Sequence, residues 1–138
     1  MNHLTLTYRF DAGDDFGWLG VEVKSENFSG RGGFWVQWQD VEEFGQSLRA
    51  YPITSDAPIV REWGYEQCEG DALVIGIKVA AANLTGELKV SVEVANNHET
   101  AERVRTSFLT HYPQLEAFSE GIASLMARAS KEAVLLGI

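Results

Sequence analysis

The fold is decided by residues 72–95, ALVIGIKVAAANLTGELKVSVEVA, in which apolar side chains recur at every second position on either side of a short connection. Such alternation is typical of β-strands with one buried face, because successive side chains point to opposite sides of a sheet. The connection AANLTG (81–86) contains the glycine that a short hairpin needs. The stretch therefore predicts two antiparallel strands with these inward-facing residues: Leu73, Ile75, Ile77, Val79, Leu88, Val90, Val92 and Val94.

The same alternation recurs along the rest of the chain. It predicts a hairpin over residues 4–10 and 19–23 joined by the turn DAGDDFG, a third strand over 34–38 and a further strand over 104–108. A strand over 59–65 has a poorer pattern but fits the spacing. Clean alternation also indicates an antiparallel sheet that is covered on one side, which leaves a second, more polar face.

Two segments change to the helical spacing of three and four residues. The first follows Asp40, which can cap it, and continues over 41–51 until Pro52 ends it. The second begins at Pro113, a favourable first helical residue, and has one continuous apolar face. We expect the apolar tail AVLLGI (133–138) to extend this helix over the core, with docking on a second copy in a homodimer as the alternative.

The two helices resemble each other, since VEEFGQSL (41–48) aligns with LEAFSEGI (115–122) and each follows a strand. The match fits either a weak internal repeat of a strand-strand-helix unit or a pattern shared by two helices that pack on one sheet, and its shortness favours the second. We therefore expect a single α+β domain over residues 1–138, with an antiparallel sheet of six or seven strands and two helices packed on one face.

Charge and composition limit the classes of function. The chain has 11 Lys and Arg against 20 Asp and Glu, a formal net charge of −9, which disfavours nucleic acid and anionic membranes and favours a basic protein partner. No apolar run is long enough for a membrane span and the N-terminus does not read as a signal peptide, so a cytoplasmic location is expected. The single cysteine, Cys68, excludes an internal disulfide.

The stretch SGRGGFWVQW (29–38) combines three glycines with closely spaced aromatic residues. It lacks the Gly-Lys-Ser/Thr end of a P-loop, and it fails as a dinucleotide fingerprint because a large aromatic residue stands where a small one is required. The glycines therefore predict a turn that leads into a core strand. Phe34, Val36 and Trp38 are then core residues, and Trp35 faces outward.

Other groups that could carry chemistry lack partners in the sequence. Cys68 lies among Glu66, Glu69 and Asp71, and neighbouring carboxylates disfavour the reactive thiolate. The histidines are scattered, no Gly-x-Ser-x-Gly motif is present, and the aspartates of DAGDDFG lack the spacing of a calcium loop. We therefore expect no enzymatic activity, no cofactor, and no catalytic or metal-binding residues.

Two regions are candidates for an interaction surface. The polar face of the predicted sheet carries two tryptophans, and tryptophan is enriched where partners bind most strongly. The acidic loop over residues 62–71 offers carboxylates to a basic partner. The candidate interaction residues are Trp18, Arg31, Trp35, Glu62, Glu66, Glu69 and Asp71.

Three stretches together carry a family resemblance: NFSGRGGFWVQWQDVEEFGQSLRAYP (27–52), GELKVSVEV (86–94) and VRTSFLTHYPQLEAFSEGIASL (104–125). In this combination the chain resembles small bacterial proteins of unknown function, some of them grouped with immunity proteins of polymorphic toxin systems. The resemblance implies a compact α+β binding protein with no catalytic motif, and immunity proteins often meet a basic toxin with an acidic face.

The expected function is therefore that of a protein-interaction module, of the immunity type, which binds a basic protein through an acidic or open-sheet surface. The alternative is a small-molecule-binding protein or enzyme with a pocket near the glycines at 30–33, where Arg31, Trp35 and Trp38 would contact the ligand.

Overall fold

The computed structural model describes residues 1–66 and 69–138, in which eight strands and two α-helices follow one another. A short 3₁₀ turn, Gly70–Ala72, precedes the fifth strand. The strands are β1 (His3–Asp11), β2 (Asp14–Ser25), β3 (Phe28–Gln37), β4 (Ile59–Gly64), β5 (Leu73–Ala81), β6 (Glu87–Asn96), β7 (Glu99–His111) and β8 (Ala133–Leu136). The helices are α1 (Trp38–Ser47) and α2 (Tyr112–Met126).

The strands form two antiparallel sheets of four strands each. Sheet A has the order β3-β2-β1-β8 and sheet B the order β4-β5-β6-β7. Both helices contact sheet A and pack against each other, and α2 also contacts β7. The α+β class and the antiparallel pairing are confirmed, whereas the prediction of one sheet of six or seven strands was wrong. Alternation identifies the buried face of each strand but does not say which strands pair.

The chain contains a repeated arrangement of three strands, a helix and a strand. The first unit comprises β1, β2, β3, α1 and β4, and the second comprises β5, β6, β7, α2 and β8. The last strand of each unit joins the sheet of the other unit, since β4 pairs with β5 and β8 pairs with β1. The topology is thus an internal repeat with exchanged strands. This order favours the internal repeat over a packing pattern that two helices merely share, and the repeated unit has three strands before its helix where the sequence suggested two.

The two helices meet at equivalent positions of the two units. Phe44 and Phe118 are fully buried and make an edge-to-face contact at 6.4 Å between ring centres. One residue further along, the Ser119 hydroxyl donates to the Gly45 carbonyl at 2.7 Å. A side chain on Gly45 would place its Cβ 2.6 Å from Ile122, so the glycine permits the close approach of the helices. In the alignment of VEEFGQSL with LEAFSEGI, Phe44 matches Phe118 and Gly45 matches Ser119.

The glycines of SGRGGFWVQW lie inside strand β3 rather than in a turn. Gly30 and Gly32 face sheet B, where an added Cβ would lie 2.9 Å from Val104 and 2.8 Å from the Ala95 carbonyl oxygen respectively. The turn between β2 and β3 is made by Glu26 and Asn27. The predicted turn was wrong because these glycines provide space for a packed neighbour and not a special backbone angle.

The end of β3 also differs from the prediction. Trp38 is half-buried and begins α1 instead of ending the strand, so Asp40 lies in the first turn of the helix rather than before it. Phe34 and Val36 face inward, and Trp35 is 49% exposed. The outward orientation predicted for Trp35 is confirmed.

The C-terminal tail AVLLGI is a strand with a short extension and not a continuation of α2. Ala133 and Leu135 are buried within β8. Beyond it, the Gly137 amide donates to the Asn2 carbonyl at 2.9 Å and the Ile138 amide donates to the Leu109 carbonyl at 2.8 Å. The tail therefore links β1 of sheet A to the outer edge of β7 in sheet B. The predicted helical extension was wrong.

Candidate protein-interaction surface

One end of sheet B brings together two acidic segments that are about thirty residues apart in sequence. They are the segment after β4 and the beginning of β7. The Tyr65 hydroxyl donates to the Asn97 carbonyl at 2.8 Å, and the Tyr65 amide donates to the Ala72 carbonyl at 2.8 Å. These bonds join Tyr65 to the β6–β7 hairpin and to the 3₁₀ turn before β5.

The acidic end, as we name this region, consists of five exposed carboxylate residues: Glu66, Glu69, Asp71, Glu99 and Glu102. The Glu102 carboxylate accepts a hydrogen bond of 2.9 Å from the Asn96 side chain. All five are carboxylates at one end of sheet B, so this end of the protein is negatively charged.

Arg103 is the cation nearest to the acidic end, and its charge is directed inward. Its side chain is only 14% exposed and pairs with Glu93 at 2.5 Å and with Asp71 at 3.8 Å. The guanidinium also donates to the carbonyls of Leu73 at 3.0 Å and Thr100 at 2.8 Å. Arg103 therefore joins β7 to β5. Of the five carboxylates of the acidic end, only Asp71 pairs with its positive charge.

The two tryptophans of the predicted surface are neighbours on the outer face of sheet A. Trp18 and Trp35 are directly opposite in the β2–β3 register, and their rings make an edge-to-face contact at 5.3 Å. Trp18 covers Gly33, where an added Cβ would lie 2.6 Å from the indole. The glycine thus fixes Trp18 flat against the sheet and leaves Trp35 as the more exposed ring. Arg31 lies on the same face, is 81% exposed and is 3.9 Å from Glu22.

Strand β3 approaches the acidic end through its inner face only. Phe34, the residue before Trp35, makes an edge-to-face contact with Tyr65 at 5.3 Å between ring centres. Tyr65 is in turn followed by Glu66. Because Phe34 points inward and Trp35 points outward, the exposed indole and the carboxylates of the acidic end lie on different surfaces of the protein.

The structure divides the seven predicted interaction residues among three surfaces. The outer face of sheet A holds Trp18, Arg31 and Trp35. The acidic end holds Glu66, Glu69 and Asp71. Glu62 lies elsewhere, on the outer face of sheet B opposite Gly76. Sequence reasoning missed Glu99, Glu102 and Arg103, because only the β6–β7 pairing brings them to the acidic segment after β4.

The alternative pocket near residues 30–33 does not form on the inner face of β3, because side chains of sheet B occupy the space beside Gly30 and Gly32. Trp38 lies at the start of α1 and contributes to a different cavity, beside the acidic turn of Asp14 and Asp15. The proposed ligand contacts are thus separated. Cys68, whose reactive thiolate the sequence predicts to be disfavoured, lies outside the described residues.

The titratable groups elsewhere in the described part of the chain form no metal-binding cluster. Within residues 1–66 and 69–138, no three His, Cys, Asp or Glu side chains converge as they would around a metal ion. Burial raises the pKa of Tyr8, whose hydroxyl donates to the Val36 carbonyl at 2.7 Å. That bond ties β1 to the end of β3, which is a structural role.

No family model, no curated protein and no solved structure matches the chain significantly. In the same described ranges, neither helix has the length and hydrophobicity to cross a membrane. The candidate surface is therefore supported by its own geometry and charge.

Proposed function

We propose that this protein is a non-enzymatic interaction module of the immunity type that binds a basic protein partner through the acidic end, with the exposed Trp35 on sheet A as a second contact. The observation that carries the proposal is the presence of five exposed carboxylates on two chain segments, which the Tyr65–Asn97 hydrogen bond and the Arg103–Asp71 pair join at one end of sheet B. Opposite charge on a partner speeds its encounter with such a surface and orients it.

The open sheet faces suit a basic partner less well than the acidic end does. Along the paired strands of sheet A, Arg9, Lys24 and Arg31 stand against Glu22, and the other carboxylates of the strand register, Asp11 and Asp14, lie at the strand ends. The net charge of −9 is therefore located mainly on the turns, the helices and the sheet ends. Of the two surfaces considered from the sequence, the acidic one is the better match for a basic protein.

Trp35 supplies the apolar contact that charges alone do not provide. Its indole is half exposed and is held in place by Trp18, so little side-chain freedom is lost when a partner covers it. Tryptophans at the centre of an interface often account for a large part of the binding energy, whereas exposed charges mainly affect rate and specificity. The resemblance to immunity proteins supports a toxin as the class of partner.

The proposal is tested by affinity capture from the native host, using wild-type protein and three variants as bait. In the acidic-end variant, Glu66→Gln, Glu69→Gln and Glu99→Gln are combined. In the helix variant, the same change of charge is made on α1 and α2 with Glu42→Gln, Glu116→Gln and Glu120→Gln, which are also exposed. The third variant is Trp35→Ala.

We expect the wild type and the helix variant to recover one basic protein in stoichiometric amount, and the acidic-end and Trp35→Ala variants to lose most of it. Quantitative mass spectrometry of the eluates measures the recovery. Circular dichroism of each bait controls for folding. Equal recovery by all four baits, or recovery of an acidic protein alone, would show that the proposed surface does not bind a basic partner.

A further inference from the structure

The outer face of sheet B contains a shallow hollow whose charge is opposite to that of the whole protein. The hollow has a volume of about 400 Å³, and its lining includes three cationic residues from three adjacent strands. Lys78 is on β5, Lys89 on β6 and Arg105 on β7, and all three are exposed. Three of the eleven cations of a chain with net charge −9 thus surround one depression.

The strand register places two hydroxyl groups between these cations. Ser91 is directly opposite Lys78 on one side and Ser107 on the other. Lys89 lies two residues from Ser91 along β6, and Arg105 lies two residues from Ser107 along β7, so all five side chains point to the same face. We name this set the basic hollow: Lys78, Ser91 and Ser107 in one cross-strand row, with Lys89 and Arg105 beside it.

Two carboxylate residues, Glu62 and Glu93, also line the basic hollow, and they do not balance its three cations. Glu93 is directly opposite Arg105 in the register, but its carboxylate pairs with Arg103 at 2.5 Å. Glu62 lies on the edge strand β4, opposite Gly76. Because Gly76 has no side chain, the floor of the depression between Glu62 and Glu93 is open.

Exposed apolar residues flank the basic hollow on both sides. Val60 is opposite Lys78 in the register and is 48% exposed, and Leu109 is opposite Lys89 and is 40% exposed. A free inorganic anion gains nothing from contact with these apolar side chains. A peptide can pack the aliphatic parts of its own side chains against them. A long polyanion such as nucleic acid is disfavoured, because it would extend beyond the hollow over a protein with a net charge of −9.

We propose that the basic hollow is a second binding site, which takes an acidic segment of a protein partner. The carboxylates of the segment accept hydrogen bonds from the hydroxyls of Ser91 and Ser107 and pair with the surrounding cations. Val60 and Leu109 pack against its aliphatic groups. The site is independent of the acidic end, because it lies on a different surface and selects the opposite charge.

A hexaglutamate peptide with both ends blocked is the probe for this site, so the test does not depend on the natural partner. The peptide is titrated into ¹⁵N-labelled protein at low ionic strength, and backbone amide shifts report both the location and the affinity of binding. We expect the shifts to concentrate on β5, β6 and β7. Charge reversal by Lys89→Glu with Arg105→Glu is expected to weaken binding at least about tenfold.

The matched control is Lys24→Glu with Arg31→Glu, which makes the same change of net charge on the outer face of sheet A. We expect this control to retain the wild-type affinity within about twofold, since Lys24 and Arg31 belong to sheet A and do not line the hollow. The single variant Lys78→Glu repeats the test should the double variant fail to give a folded spectrum.

Three outcomes would overturn the proposal. They are the absence of binding by wild-type protein, an equal loss of affinity in the sheet A control, and displacement of the peptide by inorganic phosphate more strongly than by sodium chloride of equal ionic strength. The last result would assign the hollow to a free anion. None of these results bears on whether the acidic end binds a basic protein.

Discussion

Replacing Gly30 and Gly32 together by alanine is expected to lower the free energy of unfolding by about 3 kcal/mol. The new Cβ atoms would lie 2.9 Å from Val104 and 2.8 Å from the Ala95 carbonyl oxygen, which is closer than carbon atoms approach in native proteins. Relief requires β3 to move away from sheet B, and this movement opens the packed layer between the two sheets. Urea denaturation followed by circular dichroism measures the effect.

The control for this double variant is Gly76→Ala, because Gly76 is also a strand glycine without a positive φ angle. Its added Cβ would lie at ordinary contact distances, 3.4 Å from Leu73 and 3.7 Å from Glu93. Alanine is better suited than glycine to a strand interior, so the control is expected to keep or slightly raise the stability. If both variants were equally stable, the role assigned to Gly30 and Gly32 would be wrong.

Leu135→Ala in the last strand is expected to cost about 3 kcal/mol of the free energy of unfolding. Leu135 is fully buried in β8, opposite Leu4 of β1, at the place where the second unit completes the sheet of the first. Truncation of the leucine leaves a cavity between sheet A and α2, which packs on β8. The same denaturation experiment measures the loss.

Leu136→Ala is the matched control, since the neighbouring leucine points to the outer face of sheet A and is 47% exposed. We expect it to change the free energy of unfolding by less than about 0.5 kcal/mol. The pair also distinguishes the intrachain strand from docking of the tail on a second copy. Docking would make the effect of Leu135→Ala depend on protein concentration, and such a dependence would contradict the exchanged-strand topology.

The sequence predicted the strands and the helices better than it predicted their arrangement. Alternation located the buried faces of β1, β2, β5, β6 and β7 because burial on one side leaves a period of two in the sequence itself. Each strand that follows a helix, β4 or β8, pairs with the sheet edge that lies nearest to it. No local sequence pattern reports how far each sheet edge is, so the partners β5 and β1 could not be predicted. The division into two sheets was missed for this reason.

The error at Gly30 and Gly32 has a different physical origin. A glycine in a sequence indicates either a backbone angle that other residues avoid or a space that another group occupies, and the composition is the same in both cases. The neighbours that fill the space, Val94, Ala95 and Val104, lie more than sixty residues away in sequence. Their proximity is known only when the sheets are assembled.

The candidate site was predictable in part. The outward orientation of Trp35 followed from the alternation of β3, and the carboxylates after β4 stood out by their density. The contribution of Glu99 and Glu102 could not be predicted, because it depends on the hairpin that Tyr65 holds through Asn97. The basic hollow was also hidden, since its three cations are dispersed over almost thirty residues.

The most direct test of the proposed function is calorimetric titration of the partner recovered by capture into wild-type protein, the acidic-end variant and the helix variant, each at low and at high salt. We predict that the acidic-end variant binds at least about tenfold more weakly than the other two at low salt, and that the difference narrows at high salt because the charges are exposed. Equal affinities for the acidic-end and helix variants at low salt would contradict the assignment of the acidic end as the binding surface.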